Sequence, residues 1–232
     1  MTYTGGKAGA GVYQAIINCL PPHRLYIEPF LGAGAILRYK RPAPASIALD
    51  QDPAAIAAFN PDPPIPHLTL YRADALQWLH EHGPTLPPDA LIYADPPYLM
   101  STRSTKQQYY QYDFYADAQH RELLHILTAI PCMVALSGYY SDLYASTLDP
   151  AGWSHTTFQA QTRSGRPATE WLWTNYPLPP ARLHDYRYLG ANYRQRETIR
   201  KQQRRWAQRL TRMTPLQRYA LLSTLQTLDL ED

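Results

Sequence analysis

Ala90-Leu91-Ile92-Tyr93-Ala94-Asp95-Pro96-Pro97-Tyr98 is the stretch on which the fold turns. Five apolar residues without a polar interruption read as a buried strand, the kind a parallel sheet covers on both faces. The strand runs straight into a carboxylate followed by two prolines. Those prolines fix φ and remove two backbone donors, so carbonyl oxygens remain as acceptors in a rigid turn.

The same unit recurs upstream. Leu25–Glu28 is followed by a glycine turn and the helical stretch Ala35–Tyr39. Ser46–Leu49 ends on Asp50 and precedes Pro53–Phe59, a helix with proline in its first turn. Leu68–Tyr71 leads into Asp74–His82. Downstream, Asp117–Ile130 has helical apolar spacing at Leu123, Leu124, Leu127 and Ile130, and Cys132–Leu136 is a further buried strand. Alternation of this kind predicts an α/β fold with a doubly wound, mostly parallel sheet. Ser154–Gln159 and Thr169–Thr174 flank the basic turn Thr162-Arg163-Ser164-Gly165-Arg166-Pro167 and predict a late β-hairpin. After Pro177-Leu178-Pro179-Pro180 the composition changes: Asn192–Arg212 is highly charged, and Thr214-Pro215 caps a last helix over Leu216–Leu228. The expected division is a body over 1–176 and a basic helical extension over 177–232.

Composition sets bounds. At 232 residues and 45% hydrophobic content the chain can fill a core. No apolar run approaches the roughly 18–20 residues of a membrane span, and the start lacks a basic-then-apolar leader. Cys19 and Cys132 form no metal-type pair, so buried thiols in a reducing cytoplasm, with no metal and no membrane, are expected. The net charge of +3 is unevenly spread: residues 186–232 hold ten Lys/Arg and four Asp/Glu, the remainder 12 and 15. A basic tail on a slightly acidic body fits an anionic partner or a solvated helix.

Phe30-Leu31-Gly32-Ala33-Gly34 follows a strand and opens a helix, where glycines allow close approach of a ligand to backbone N–H groups. Tight turns of this kind also occur for purely structural reasons. Asp50, about 20 residues on, can accept both ribose hydroxyls of an adenosine group. Asp74 sits at the same strand ends but is equally a helix cap. Asp95 with the Pro96 carbonyl can accept both hydrogens of a planar amino group, whose lone pair is otherwise delocalised and weakly nucleophilic. Tyr98 offers a face for an extruded base, worth on the order of 1–3 kcal/mol. Met100–Tyr115, with Arg103, Lys106, Tyr109, Tyr110, Tyr112 and Tyr115, is a polar, aromatic loop placed to touch a ligand.

With these pieces in order, the chain resembles the Dam-type DNA adenine N6-methyltransferases over about residues 1–176. Tyr3-Thr4-Gly5-Gly6-Lys7 is similar to that family's aromatic-x-Gly-Gly-Lys motif, and Glu28-Pro29-Phe30-Leu31-Gly32-Ala33-Gly34 to its cofactor loop. Ala48-Leu49-Asp50 sits where its ribose-binding Asp occurs, and Asp95–Tyr98 matches its D-P-P-Y. Tyr112-Asp113-Phe114 and Glu170-Trp171-Leu172-Trp173-Thr174-Asn175 are also similar. The resemblance implies a sheet of the S-adenosylmethionine-dependent methyltransferase type. It further implies that cofactor contacts involve Tyr3, Gly6, Lys7, Glu28, Pro29, Phe30, Gly32, Gly34, Asp50 and Asp74. Methyl transfer to N6 of a flipped adenine in duplex DNA would use Asp95, Pro96, Pro97 and Tyr98, and no metal.

One departure matters. Asp50 and Asp95 stand only 45 positions apart, too few for the long helical target-recognition segment usual in that family. DNA contacts are therefore expected from Arg103, Lys106, Tyr109 and Tyr112, from Arg163 and Arg166 in the hairpin turn, and from the basic tail. Other planar amino groups (cytosine N4, an RNA adenine, a protein glutamine) and a non-catalytic DNA-binding regulator are the alternatives. The intact tetrapeptide weighs against the regulator. Asp at position 95, where glutamine-modifying relatives typically carry Asn, weighs against glutamine.

Overall fold

The computed structural model describes residues 7–9, 11–102, 116–161 and 167–228. Seven strands, β1 (Leu25–Glu28), β2 (Ala45–Asp50), β3 (Leu68–Arg72), β4 (Ala90–Ala94), β5 (Met133–Gly138), β6 (Ser154–Gln161) and β7 (Pro167–Thr174), form one sheet. Their order is β3-β2-β1-β4-β5-β7-β6. β1 to β5 are parallel, β7 is antiparallel to β5, and β6 is antiparallel to β7. The order reverses between β1 and β4, so right-handed crossovers put helices on both faces. This is the doubly wound, mostly parallel sheet with a late hairpin that the sequence leads one to expect.

β4 lies at the centre of the sheet and all five of its residues are buried, as its unbroken apolar run requires. Around it α1 (Val12–Ile17), α2 (Ala35–Tyr39), α3 (Pro53–Ala58), α4 (Ala75–His82), α5 (Asp117–Ala129) and α6 (Asp142–Leu148) supply the covering layers. Ile27, Leu49, Ile92, Val134 and Leu136 from the strands meet Leu79, Leu123, Leu124, Leu127, Tyr144 and Leu148 from the helices. Helix starts follow side-chain chemistry: Asp52 accepts the Ala54 N–H ahead of Pro53, and Asp74 accepts the Gln77 N–H. The interval from Asp50 to Asp95 is taken up by α3, β3, α4 and a short 3₁₀ turn at Gly83–Thr85. No inserted domain stands there.

Two short helices depart from the sequence reading. α1 is six residues long and α6 seven, so neither has the span over which apolar periodicity becomes legible. The hairpin strands also extend two residues further towards their turn at each end than the sequence implies.

Contacts divide the chain into two compact units, one ending at Tyr186 and one beginning at Arg187. The segment past β7 stays with the first: the Tyr176 hydroxyl donates to the Cys19 carbonyl at 3.1 Å, the His184 N–H to the Leu20 carbonyl at 2.9 Å, and buried Asp185 accepts the Arg41 N–H at 2.8 Å. The second unit consists of α7 (Tyr193–Thr211) and α8 (Pro215–Leu228). Asn192 caps α7 through the Gln195 N–H, and Thr214 and Gln217 exchange hydrogen bonds at the start of α8.

Candidate active site

Because the strands are parallel, β1, β2, β4 and β5 deliver their carboxyl ends to one edge, and the reversal between β1 and β4 opens a crevice there. Asp95 follows β4 directly. Its carboxylate meets the ammonium of Lys7, with Oδ1 and Nζ 2.9 Å apart. The same nitrogen lies 3.0 Å from Oε2 of Glu170. Asp95 Oδ1 and Glu170 Oε2 are both shut off from water, and the Lys7 ammonium is the cation that faces both. Lys7 also donates to the Tyr98 hydroxyl and stands 4.8 Å from the centre of that ring.

Glu170 reaches this group because β7 is antiparallel. Its register sets Trp171 opposite Gly138, the last residue of β5, so Glu170 falls just past the carboxyl end of the parallel strands. Tyr139, following β5, meets Tyr98 edge-on with ring centres 4.5 Å apart at 64°. Beneath them Tyr93 on β4 shares a 2.9 Å hydrogen bond with Ser137 on β5.

The electrostatics follow from burial. Lys7 is only 5% exposed, which disfavours its charge, yet the carboxylates of Asp95 and Glu170 outweigh that cost and hold its pKa above the ordinary lysine value. Burial pushes the Asp95 carboxyl up; Lys7 pulls it back and Glu170 adds to the rise. Two carboxylates and one ammonium thus share a space from which water is largely excluded.

A second cluster lies at the ends of β1 and β2. Asp50 Oδ2 accepts the Gly32 N–H at 2.8 Å and Oδ1 accepts the Asp52 N–H at 2.9 Å. Burial raises the Asp50 pKa, and those two donors oppose the rise. A carboxylate offers about four lone-pair sites, so Asp50 keeps accepting capacity while its backbone partners fix it in place. Gly32 and Gly34 have φ of 49° and 62°. A Cβ on Gly34 would collide with the Phe59 ring and sit 2.8 Å from Leu31 Cδ1. Close helix packing therefore accounts for that glycine.

Glu28 is turned inward. Its Oε2 accepts the Tyr26 hydroxyl at 2.8 Å and the Leu37 N–H at 3.1 Å, and so serves one of the unpaired donors at the start of α2, whose cap position is a glycine. Burial is the largest influence on its carboxyl, which is pushed up to about 8. Pro29 is buried, and Phe30 packs against the core. Asp74, besides capping α4, accepts the Gln51 side-chain amide at 3.1 Å.

The structure thus brings Lys7, Asp95 and Tyr98 together, and separately Gly32 and Asp50. Tyr3, Gly6, Arg103, Lys106, Tyr109, Tyr112, Arg163 and Arg166 lie outside the described residues. Glu170 and Tyr139 went unread as site residues in the sequence. A signal existed for Glu170: it shares a face with Leu172 and Thr174, both buried, and a carboxylate at such a position needs a partner.

Among the described residues no helix is long and apolar enough to cross a membrane, and no group of His, Cys, Asp and Glu could hold a metal ion. No protein-family model and no curated protein sequence matches the chain. Solved structures of similar fold include the N-methyltransferase NodS from Bradyrhizobium japonicum, 13% identical over 71% of this chain and 94% of that one, with a TM-score of 0.49. An rRNA methylase from Streptococcus thermophilus is 11% identical over 70% of this chain and 92% of that one, at 0.44. A precorrin 8W decarboxylase from Methanobacterium thermoautotrophicum is 12% identical over 75% and 94%, at 0.46. At such identities the likeness is one of chain path alone.

Proposed function

We propose that the chain transfers a methyl group from S-adenosylmethionine to N6 of an adenine flipped out of duplex DNA. The observation that carries this reading is Asp95: a water-shielded carboxylate on a rigid Pro-Pro turn at the sheet crevice, beside Lys7, Tyr98 and Tyr139. Asp50 and the Gly32–Gly34 turn fit the adenosine end of the cofactor, since Asp50 is held by backbone donors and retains free lone pairs. When bound, the cofactor supplies a methyl group made electrophilic by its attachment to a sulfonium.

The chain's own residues do the rest. Asp95 accepts one N–H of the adenine amino group and the Pro96 carbonyl the other, so charge builds on the nitrogen as it becomes nucleophilic. Pro97 stiffens the turn, and Tyr98 with Tyr139 lines the space for the base. Lys7 holds the Asp95 oxygen that the amino group needs. Glu170, at almost the same distance from the ammonium, gives Lys7 a second carboxylate to lean on when Asp95 takes the substrate. Tyr3, Gly6, Glu28, Pro29, Phe30, Gly34 and Asp74 are assigned to building or closing the cofactor side. Arg103, Lys106, Tyr109, Tyr112, Arg163 and Arg166 are assigned to DNA contact.

The test is incubation of the full chain with labelled S-adenosylmethionine and duplex DNA, followed by nucleoside analysis. N6-methyldeoxyadenosine is expected, and Asp95→Ala should lower its formation at least about a thousandfold with the fold unchanged. Label recovered in cytosine, or only in RNA, overturns the adenine assignment. Undiminished activity of Asp95→Ala overturns the mechanism.

A further inference from the structure

We propose that one face of α7 is a binding surface for the sugar–phosphate backbone of duplex DNA. This rests on the proposed reaction only in its choice of DNA over other polyanions. α7 carries Arg194, Arg196, Arg200, Lys201, Arg204, Arg205 and Arg209 against the single acid Glu197, and none of its residues is buried.

The helix sorts these charges. Arg194, Lys201, Arg205 and Arg209 recur at steps of seven, four and four, which at about 100° per residue places them within roughly a quarter of the helix circumference. All four are exposed. Arg212, the C-cap, continues the row. Ile199, Trp206 and Leu210 recur at seven and four on a face about 140° away, so the row carries no apolar side chain.

Two of the three α7 cations off the row have partners within this unit. Arg200 pairs with Glu197, and Arg196 donates to the Gly190 carbonyl at 3.4 Å. Among the described residues, Arg194, Lys201, Arg205 and Arg209 have no carboxylate within ion-pairing distance. Five cations left on one face at spacings fixed by the helix repel one another, and an anionic partner relieves that repulsion. From Lys201 to Arg205 to Arg209 each step rises about 6 Å. A DNA strand presents a phosphate about every 3.4 Å of axis, and the winding of the duplex sets neighbouring phosphates about 7 Å apart in space, so successive side chains reach successive phosphates along one strand. Such contacts fix position without reading bases.

Two other occupants have weaker claims. An acidic protein needs no regular spacing of cations. A membrane surface needs the apolar face to be broad, and here Gln195, Gln202 and Gln203 flank its three apolar side chains.

The experiment measures binding of the full chain to a fluorescent 20-base-pair duplex at several salt concentrations, with anionic lipid vesicles as a second probe. The variant Lys201→Gln/Arg205→Gln/Arg209→Gln should lose at least about tenfold in affinity near 0.1 M salt. Its salt slope should shallow by about 2–3, since each phosphate contact contributes about 0.9. Methyl transfer at saturating DNA should keep its maximal rate, with the loss appearing in the DNA concentration required. Unchanged affinity and slope overturn the proposal even if the wild-type chain methylates DNA. Tighter binding to vesicles than to DNA overturns it as well. Loss of DNA affinity in the triple variant, with no methyl transfer by the wild-type chain, upholds this surface while removing the reaction.

Discussion

Charge is handled in opposite ways by the two units. In the first, Lys7, Asp95 and Glu170 are few and nearly dry, each carboxylate lying within about 3 Å of the Lys7 ammonium. In the second, the cations of α7 are many, wet and spaced along an exposed helix. Water decides what each arrangement is worth. Where it is excluded, one unmatched charge costs several kcal/mol; where it is abundant, a pair of charges is worth a fraction of that and only number and spacing tell. Catalytic chemistry wants the first condition, and tracking a polyanion wants the second.

That contrast can be broken most severely at Lys7. Lys7→Met leaves two carboxylates facing each other without a cation, and should cost about 3–5 kcal/mol in urea unfolding. Adding Glu170→Gln removes one of the two charges and should restore part of the loss, a coupling that a double-mutant cycle reads directly. A cost under about 1 kcal/mol for Lys7→Met would show that water enters the site freely.

A smaller effect belongs to Glu28. Its carboxyl is raised from the ordinary 4.5 to about 8. Between those values the fold holds a proton that the unfolded chain has released, so stability is fully present below pH 4.5 and falls as pH rises towards 8. Glu28→Gln keeps an acceptor for the Leu37 N–H and removes the titration. The melting temperature of that variant should decline less steeply between pH 5 and 8 than that of the wild type; parallel curves would place the charge sensitivity elsewhere.

The smallest effect is expected in the second unit. Arg200→Gln breaks the Arg200–Glu197 pair, whose side chains are 45% and 31% exposed. Stability should move by less than about 0.5 kcal/mol. A larger loss would mean that the exposed charges of α7 act as a network.

The same physics explains what the sequence disclosed. β4 and α5 were legible because burial imposes a continuous or periodic apolar pattern, and the glycine turn and Asp95 because special backbone and chemistry demand special residues. The short covering helices α1 and α6 follow from tertiary packing and left little local trace. Glu170 was hidden for another reason: its meaning depends on which strand lies beside β5, and only the register of Trp171 with Gly138 reveals that. Gly34 shows how two readings can overlap. A glycine in a ligand-type loop invites a functional reading, and the Phe59 ring by itself already leaves no room for a side chain there.

The antiparallel course of β7 also has a consequence in time. The ion cluster joins a residue seven places from the start of the sequence to one 170 places in, with Asp95 between them. During synthesis the central strands can be complete while Lys7 still lacks its second carboxylate, and truncation before the hairpin removes that carboxylate for good. The charged centre therefore cannot be whole until the chain has been made through Glu170, even where Lys7 and Asp95 are already present.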